Sequence, residues 1–208
     1  MGQYYMPTII TSDGRIMTLY SHEFDSGMKL MEHSWIGNDF VNAVYSLIYK
    51  NKKRVAWIGD YSGDDYVETS DAYAKALPEK EFMEIYSKVW AEKDKYRIPK
   101  KHFSPHDLNI LTQETKRMYL LNHAKKLYLD MNRYIFDATV KDGTGKGWCV
   151  NPLPLLTACG DGRGGGDFRN SSKNKGDKDV GIWAFDLLEY TDYVPDGYPE
   201  AQFCFIER

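Results

Sequence analysis

Two runs rich in β-branched and aromatic residues, Tyr4 to Ile10 and Arg15 to Tyr20, flank the tetrad Thr11-Ser12-Asp13-Gly14. Asp-Gly readily adopts the positive φ angles of a tight turn, so this spacing predicts an N-terminal β-hairpin and commits the chain to antiparallel pairing from the start. The segments that follow offer cover for such a sheet. Asn38 can cap a helix in which Phe40, Val41, Val44, Tyr45 and Ile48 share one face, with Lys50, Lys52 and Lys53 gathered at its dipole-favoured end. Arg54 to Ile58 reads as a short buried strand that stops at Gly59-Asp60. A second helix begins near Pro78, carries Glu79 and Glu81 in its first turn, and presents Phe82, Ile85, Tyr86, Val89 and Trp90 on one face.

The segment Lys95 to Pro105 is polar and punctuated by proline, which predicts a surface loop. Arg117 to Met131 admits two readings. Met118, Leu121, Tyr128 and Met131 form a helical stripe, whereas Met118 to Leu121 and Leu127 to Leu129 read as two strands around Asn122 to Lys126. The hairpin is favoured, because two β-rich clusters bracket a polar stretch. Trp148-Cys149-Val150 looks like a strand broken by Asn151-Pro152-Leu153-Pro154. The chain then ends in two expected strands, Val180 to Tyr190 and Gln202 to Ile206, joined by Pro195-Asp196-Gly197-Tyr198-Pro199. Val55 to Asp60 and Val180 to Asp186 both end in Trp-x-x-Asp, as if two strands delivered a Trp and an Asp to similar places.

These elements imply an α+β fold: a mostly antiparallel sheet with two or more helices packed on it. At 208 residues the chain fits one domain spanning 1–208, with a flexible glycine-rich loop at about 160–179. Composition excludes several classes. Hydrophobic residues at 42% and charged residues at 27% suit a globular core and not a disordered chain. A net charge of −3 argues against general nucleic-acid binding, which needs a basic surface to displace counterions. No stretch approaches the roughly 20 apolar residues that span a bilayer, and Met1 to Tyr5 lacks the character of a secretion signal, so no membrane association and a cytoplasmic location are expected. Cys149, Cys159 and Cys204 are odd in number without CxxC spacing, as expected of reduced thiols.

Chemistry concentrates in Gly160 to Phe168, where five glycines fall within seven residues. Gly162, Gly164 and Gly165 let backbone N–H groups turn inward as anion-binding nests do, Arg163 can clamp a phosphate with two hydrogen bonds, and Asp167 lies beside them. The pattern is neither a Walker A loop nor a dinucleotide fingerprint, because neither GxxxxGK[ST] nor a following apolar helix is present. A plain surface loop is the competing reading. Asp60, Asp64 and Asp65, just past a strand end, form an oxygen-rich group suited either to solvent or to a divalent metal. Among the tryptophans, Trp57 and Trp183 at strand ends could wall a pocket that stacks a base. His33 in Glu32-His33-Ser34-Trp35 reads as a structural histidine before a catalytic one.

The opening Met1-Gly2-Gln3-Tyr4-Tyr5, the Glu32-His33-Ser34-Trp35 with Asn38-Phe40-Val41, and Asn151-Pro152-Leu153-Pro154-Leu155-Leu156 resemble a group of uncharacterised phage and bacterial proteins. The resemblance rests on scattered short motifs. It implies a phage or prophage setting and favours binding over catalysis, without transferring any catalytic residue.

The leading expectation is therefore a non-catalytic protein that holds a phosphorylated small molecule such as a nucleotide, without a resident cofactor. Its site would combine Gly162, Arg163, Gly164, Gly165 and Asp167 with Trp57 and Trp183. The alternatives are a metal-dependent phosphoester hydrolase using Asp60, Asp64 and Asp65 with His33 as general base, and an inhibitor that binds a host protein through a tyrosine-rich face.

Overall fold

The computed structural model describes residues 3–65, 77–113, 116–136, 150–160 and 179–203. The N-terminal hairpin forms as its turn chemistry requires. Strand β1 (Tyr5–Ile10) pairs antiparallel with β2 (Ile16–Thr18), and Gly14 takes φ +79° in the turn. Helix α1 (Asp39–Leu47) follows, started by Asn38, whose side-chain oxygen accepts from the Phe40 and Val41 amides at 3.0 and 3.3 Å. Strand β3 (Lys53–Gly59) then pairs antiparallel along the whole of β1, with Tyr5 opposite Gly59 and Ile10 opposite Arg54. Helix α2 (Glu79–Trp90) begins at Pro78 with both expected glutamates in its first turn.

Of the two readings of 117–131, the hairpin holds: β4 (Tyr119–Asn122) and β5 (Leu127–Asp130) pair antiparallel, with Asn122 opposite Leu127. Of the strand expected over Trp148 to Val150, only Val150 lies within the described residues, where it bridges to Trp35, and Asn151-Pro152-Leu153-Pro154 opens a helix. Asn151 caps a short helix α3 (Pro152–Leu156) by accepting from the Leu153 amide at 3.1 Å, and a proline in the first turn costs a helix nothing, since that N–H has no helical acceptor. Strand β6 (Ala158–Cys159) then lies parallel to β3, and β7 (Leu187–Thr191) completes the sheet in the order β2-β1-β3-β7-β4-β5, with β6 also on β3. The sheet is mostly antiparallel with helices packed around it, an α+β fold.

The sheet is buried on both faces, and alternate residues of its central strands show why. Tyr5 and Ile9 of β1 and Val55 and Trp57 of β3 join one core with Phe40, Val44 and Tyr45 of α1, Ile48 at its end, and Leu153, Leu155 and Leu156 of α3. Met6, Ile10, Ala56 and Ile58 join a second core with Phe82, Ile85 and Val89 of α2. A strand covered on both sides has no polar face, which is why β1 and β3 read as nearly continuous apolar runs.

Three expectations are corrected. Val180 to Tyr190 is not one strand: only Leu187–Thr191 is, and Val180 to Phe185 forms turns, with positive φ at Gly181 and Phe185. These turns do other work. The Gly181 and Trp183 amides donate to the carbonyls of Leu155 and Leu156 at 2.8 and 2.7 Å, satisfying the end of α3. The likeness between Val55–Asp60 and Val180–Asp186 is therefore confined to sequence, because one copy is strand and the other turn. Lys95 to Pro105 is not purely loop, since it holds short helical turns at Lys93–Tyr96 and Lys100–His102, and the Ile98 amide donates to Thr18 of β2 at 2.8 Å. Of the strand expected over Gln202 to Ile206, Gln202 and Phe203 form none, and residues 204–206 lie outside the described residues. No described helix is long and apolar enough to cross a membrane.

Candidate functional site at the ends of two parallel strands

Strands β3 and β6 run side by side in the same direction, with Trp57 opposite Ala158 and Ile58 opposite Cys159. Each ends one residue later in a glycine, Gly59 and Gly160. The two glycines are needed for space. A Cβ on Gly59 would sit 2.5 Å from Gln3 Cδ, and one on Gly160 would sit 2.4 Å from Gln3 Oε1 and 2.5 Å from the Tyr5 hydroxyl. Gln3 and Tyr5 are completely buried here, and the Tyr5 hydroxyl donates to Gln3 Oε1 at 2.6 Å. Gly160→Ala is therefore expected to destabilise the protein by about 1–3 kcal/mol, because Tyr5 and Gln3 must move together to admit a methyl group. Equilibrium urea unfolding measures this, and a change under 0.5 kcal/mol would mean the strand ends are loosely packed.

The acidic segment leaves the end of β3 under restraint. The Asp60 amide donates to the Tyr4 carbonyl at 2.9 Å, and Asp60 Oδ1 accepts from the Tyr4 amide at 3.0 Å. The Tyr86 hydroxyl of α2 donates to the Asp60 carbonyl, and Ser62 Oγ donates to the Gly59 carbonyl at 2.6 Å. Ser62–Asp65 forms one helical turn, and the side chains of Asp64 and Asp65 lie outside the described part of the structure. Among the described residues, no group of three or more His, Cys, Asp and Glu is arranged to hold a metal ion. Gly162, Arg163, Gly164, Gly165 and Asp167 lie outside the described residues; the segment that carries them starts directly after Gly160.

The two tryptophans sit elsewhere than a pocket wall. Trp57 and Trp183 are both completely buried in the main core, so neither presents a ring face on which a base could stack from solvent. Trp57 Nε1 donates to His33 Nε2 at 3.0 Å, and Trp183 meets Phe203 edge-on with centroids 5.5 Å apart. Indole nitrogen is a donor only, so His33 Nε2 must be the acceptor and Nδ1 carries the proton, which it donates to the Gly27 carbonyl at 3.0 Å. Both ring nitrogens are thus engaged, and burial pushes the His33 pKa down to about 4. His33 is a neutral core residue, without the free lone pair that the hydrolase alternative asked of it. Cys159 is equally inert, its thiol pushed up to about 12 by burial.

Comparison with known families, with curated proteins and with solved structures finds no match.

Sequence reasoning missed one cluster. His123, at the end of β4, contacts Glu189 of β7 and Tyr198 of the Pro195–Pro199 link. These residues are 66 and 75 positions apart from the histidine along the chain, and no local pattern marks them. The one available signal was a histidine placed directly at a predicted hairpin turn.

Proposed function

We propose that this chain binds a phosphate-bearing small molecule, such as a nucleotide, where β3 and β6 end, and does no chemistry on it there. The observation that carries the proposal is the parallel pairing of these two strands. It sets the strand ends at Gly59 and Gly160 side by side, and in the sequence Asp60 follows the first while the run with Gly162, Arg163, Gly164, Gly165 and Asp167 follows the second. The carboxyl ends of adjacent parallel strands are where sheets commonly receive ligands, because the chain diverges there and leaves backbone N–H groups to be used. A glycine-rich run supplies those groups without side-chain obstruction, and Arg163 supplies a planar cation that matches two phosphate oxygens. Carboxylates beside an anion cradle suit a ligand that carries hydroxyl groups as well as phosphate, as a nucleotide does. Trp57 contributes by holding the strand end in the core and not by stacking.

Native mass spectrometry of freshly purified protein, followed by denaturation and analysis of the released small molecules, tests this. A phosphorylated compound released from wild type is expected, and Arg163→Ala is expected to weaken its binding by roughly 10- to 100-fold, the worth of a charge-assisted contact. Unchanged affinity in Arg163→Ala would remove the site.

A further inference from the structure

We propose that Tyr198 is a nucleophilic phenol, activated by His123 and Glu189, that accepts acyl groups from small activated carboxylic esters. The proposal uses none of the residues of the strand-end site. Glu189 Oε2 lies 2.7 Å from His123 Nε2, and His123 Nδ1 lies 3.0 Å from the Tyr198 hydroxyl. An ionised carboxylate only accepts, so a neutral His123 carries its proton on Nε2 and turns the Nδ1 lone pair to the phenol. The exposure gradient follows the same order. The His123 and Glu189 side chains are 8% and 15% exposed, whereas Tyr198 is half-buried at the surface. A surface nucleophile, a base beneath it and a carboxylate orienting that base make up the constellation by which a weak nucleophile is activated.

All three members stand on fixed backbone. Gly197, at φ +80°, lets the Tyr198 amide close a turn onto the Pro195 carbonyl at 3.3 Å. The other side of Tyr198 is held to β5, where the Tyr128 amide donates to Pro199 at 3.2 Å and the Ala201 amide donates to Tyr128 at 2.8 Å. The His123 amide donates to the Leu187 carbonyl at 2.8 Å, and Glu189 lies within β7 opposite Leu121. The neighbouring turn is held as well: Asn122 Nδ2 donates to Asp186 at 2.7 Å, Asn122 Oδ1 accepts from the Lys125 amide at 2.9 Å, and Lys125 pairs with Asp186.

In the step, the Tyr198 oxygen bonds to the acyl carbon as its proton passes to His123 Nδ1, and the bond from that carbon to the ester's leaving oxygen breaks. His123 releases the proton to the leaving oxygen or to solvent. Water then attacks the acyl-phenol as His123 takes one of its protons, the bond from the acyl carbon to the Tyr198 oxygen breaks, and His123 returns that proton to the phenolate, leaving the free phenol and the carboxylic acid. Acyl transfer is the class a phenol suits, because a phenolate leaves an acyl carbon more readily than an alkoxide does, so its ester is readily hydrolysed. Glu189 is a positioning residue.

The test is acetylation of the whole protein by p-nitrophenyl acetate, followed by peptide mapping. Tyr193, 63% exposed, is the internal reference. If exposure alone ruled, Tyr193 would label faster. The expected result is Tyr198 labelling about 100-fold faster than Tyr193, the scale of general-base assistance. His123→Gln should bring the two rates together, Tyr198→Phe should abolish the initial release of nitrophenolate, and Glu189→Gln should alter the pH profile of acetylation. Tyr198 labelling no faster than Tyr193 in wild type would overturn the proposal, and that comparison needs no variant to fold. An unchanged rate in folded His123→Gln would overturn it equally.

Discussion

Replacing Trp57 with alanine is expected to destabilise the protein by about 4–6 kcal/mol, a loss comparable with the whole stability of many domains. Two costs combine. The ring is completely buried among the residues of the main core, edge-on to Phe40 at 81° and stacked on His33, so its removal leaves a cavity between β3 and α1. The same change strips His33 Nε2 of its donor and leaves a buried acceptor unpaired. Trp57→Phe shrinks the first cost and keeps the second, since an aromatic ring stays in the core while the N–H and part of the indole are lost. It should cost about 1–3 kcal/mol. Urea unfolding of the three proteins gives these numbers directly, and in thermal unfolding Trp57→Ala should melt roughly 10–20 °C below wild type. A cost under 1 kcal/mol for the alanine variant would mean that Trp57 is not in the core.

Acid should weaken the fold through the other member of this pair. His33 has a pKa of about 4 in the folded protein against an ordinary value of 6.5, chiefly because burial disfavours the imidazolium, with the Gly27 carbonyl and Glu32 opposing only in part. The unfolded chain therefore takes up this proton more readily than the folded one. Stability is fully present above pH 6.5, falls as the pH drops from 6.5 towards 4, and loses about 3 kcal/mol from this residue by the lower limit. Unfolding free energies measured between pH 7.5 and 4 should show that slope, and His33→Asn should flatten it even if the variant is less stable throughout. Equal slopes in the two proteins would mean that His33 is protonated or exposed in the folded state.

The elements legible in the sequence are those whose causes are local. Thr11–Gly14 closes a hairpin because Gly14 takes a positive φ that side chains disfavour, and Asn38 caps α1 because its side chain reaches amides two and three residues ahead. The hairpin at 119–130 was legible only as one of two readings. A stretch of this length satisfies both periodicities, and the choice came from β7, which pairs with Tyr119–Asn122 along its full length. Val180 to Phe185 misled for the same reason in reverse. Its apolar content is that of a strand, yet its Gly181 and Trp183 amides are taken by the end of α3.

The candidate sites divide in the same way. The glycine run, Arg163 and the acidic group beyond β3 are sequence features, visible because unusual composition is itself a signal. Trp57 and Trp183 also stood out, and there the reading failed, because an aromatic at a strand end is equally at home in a pocket wall or a core. Burial decides between the two, and burial depends on what α1 and α3 cover. The sequence by itself determined the two helices, the N-terminal hairpin, the antiparallel class of the sheet and the residue types available for chemistry, since each follows from interactions within a few positions. Only the tertiary structure decided that β6 lies parallel to β3, that His33 is neutral beneath Trp57, and that His123, Glu189 and Tyr198 meet. Those contacts join residues 24 to about 100 positions apart, and no local periodicity encodes a partner at that distance.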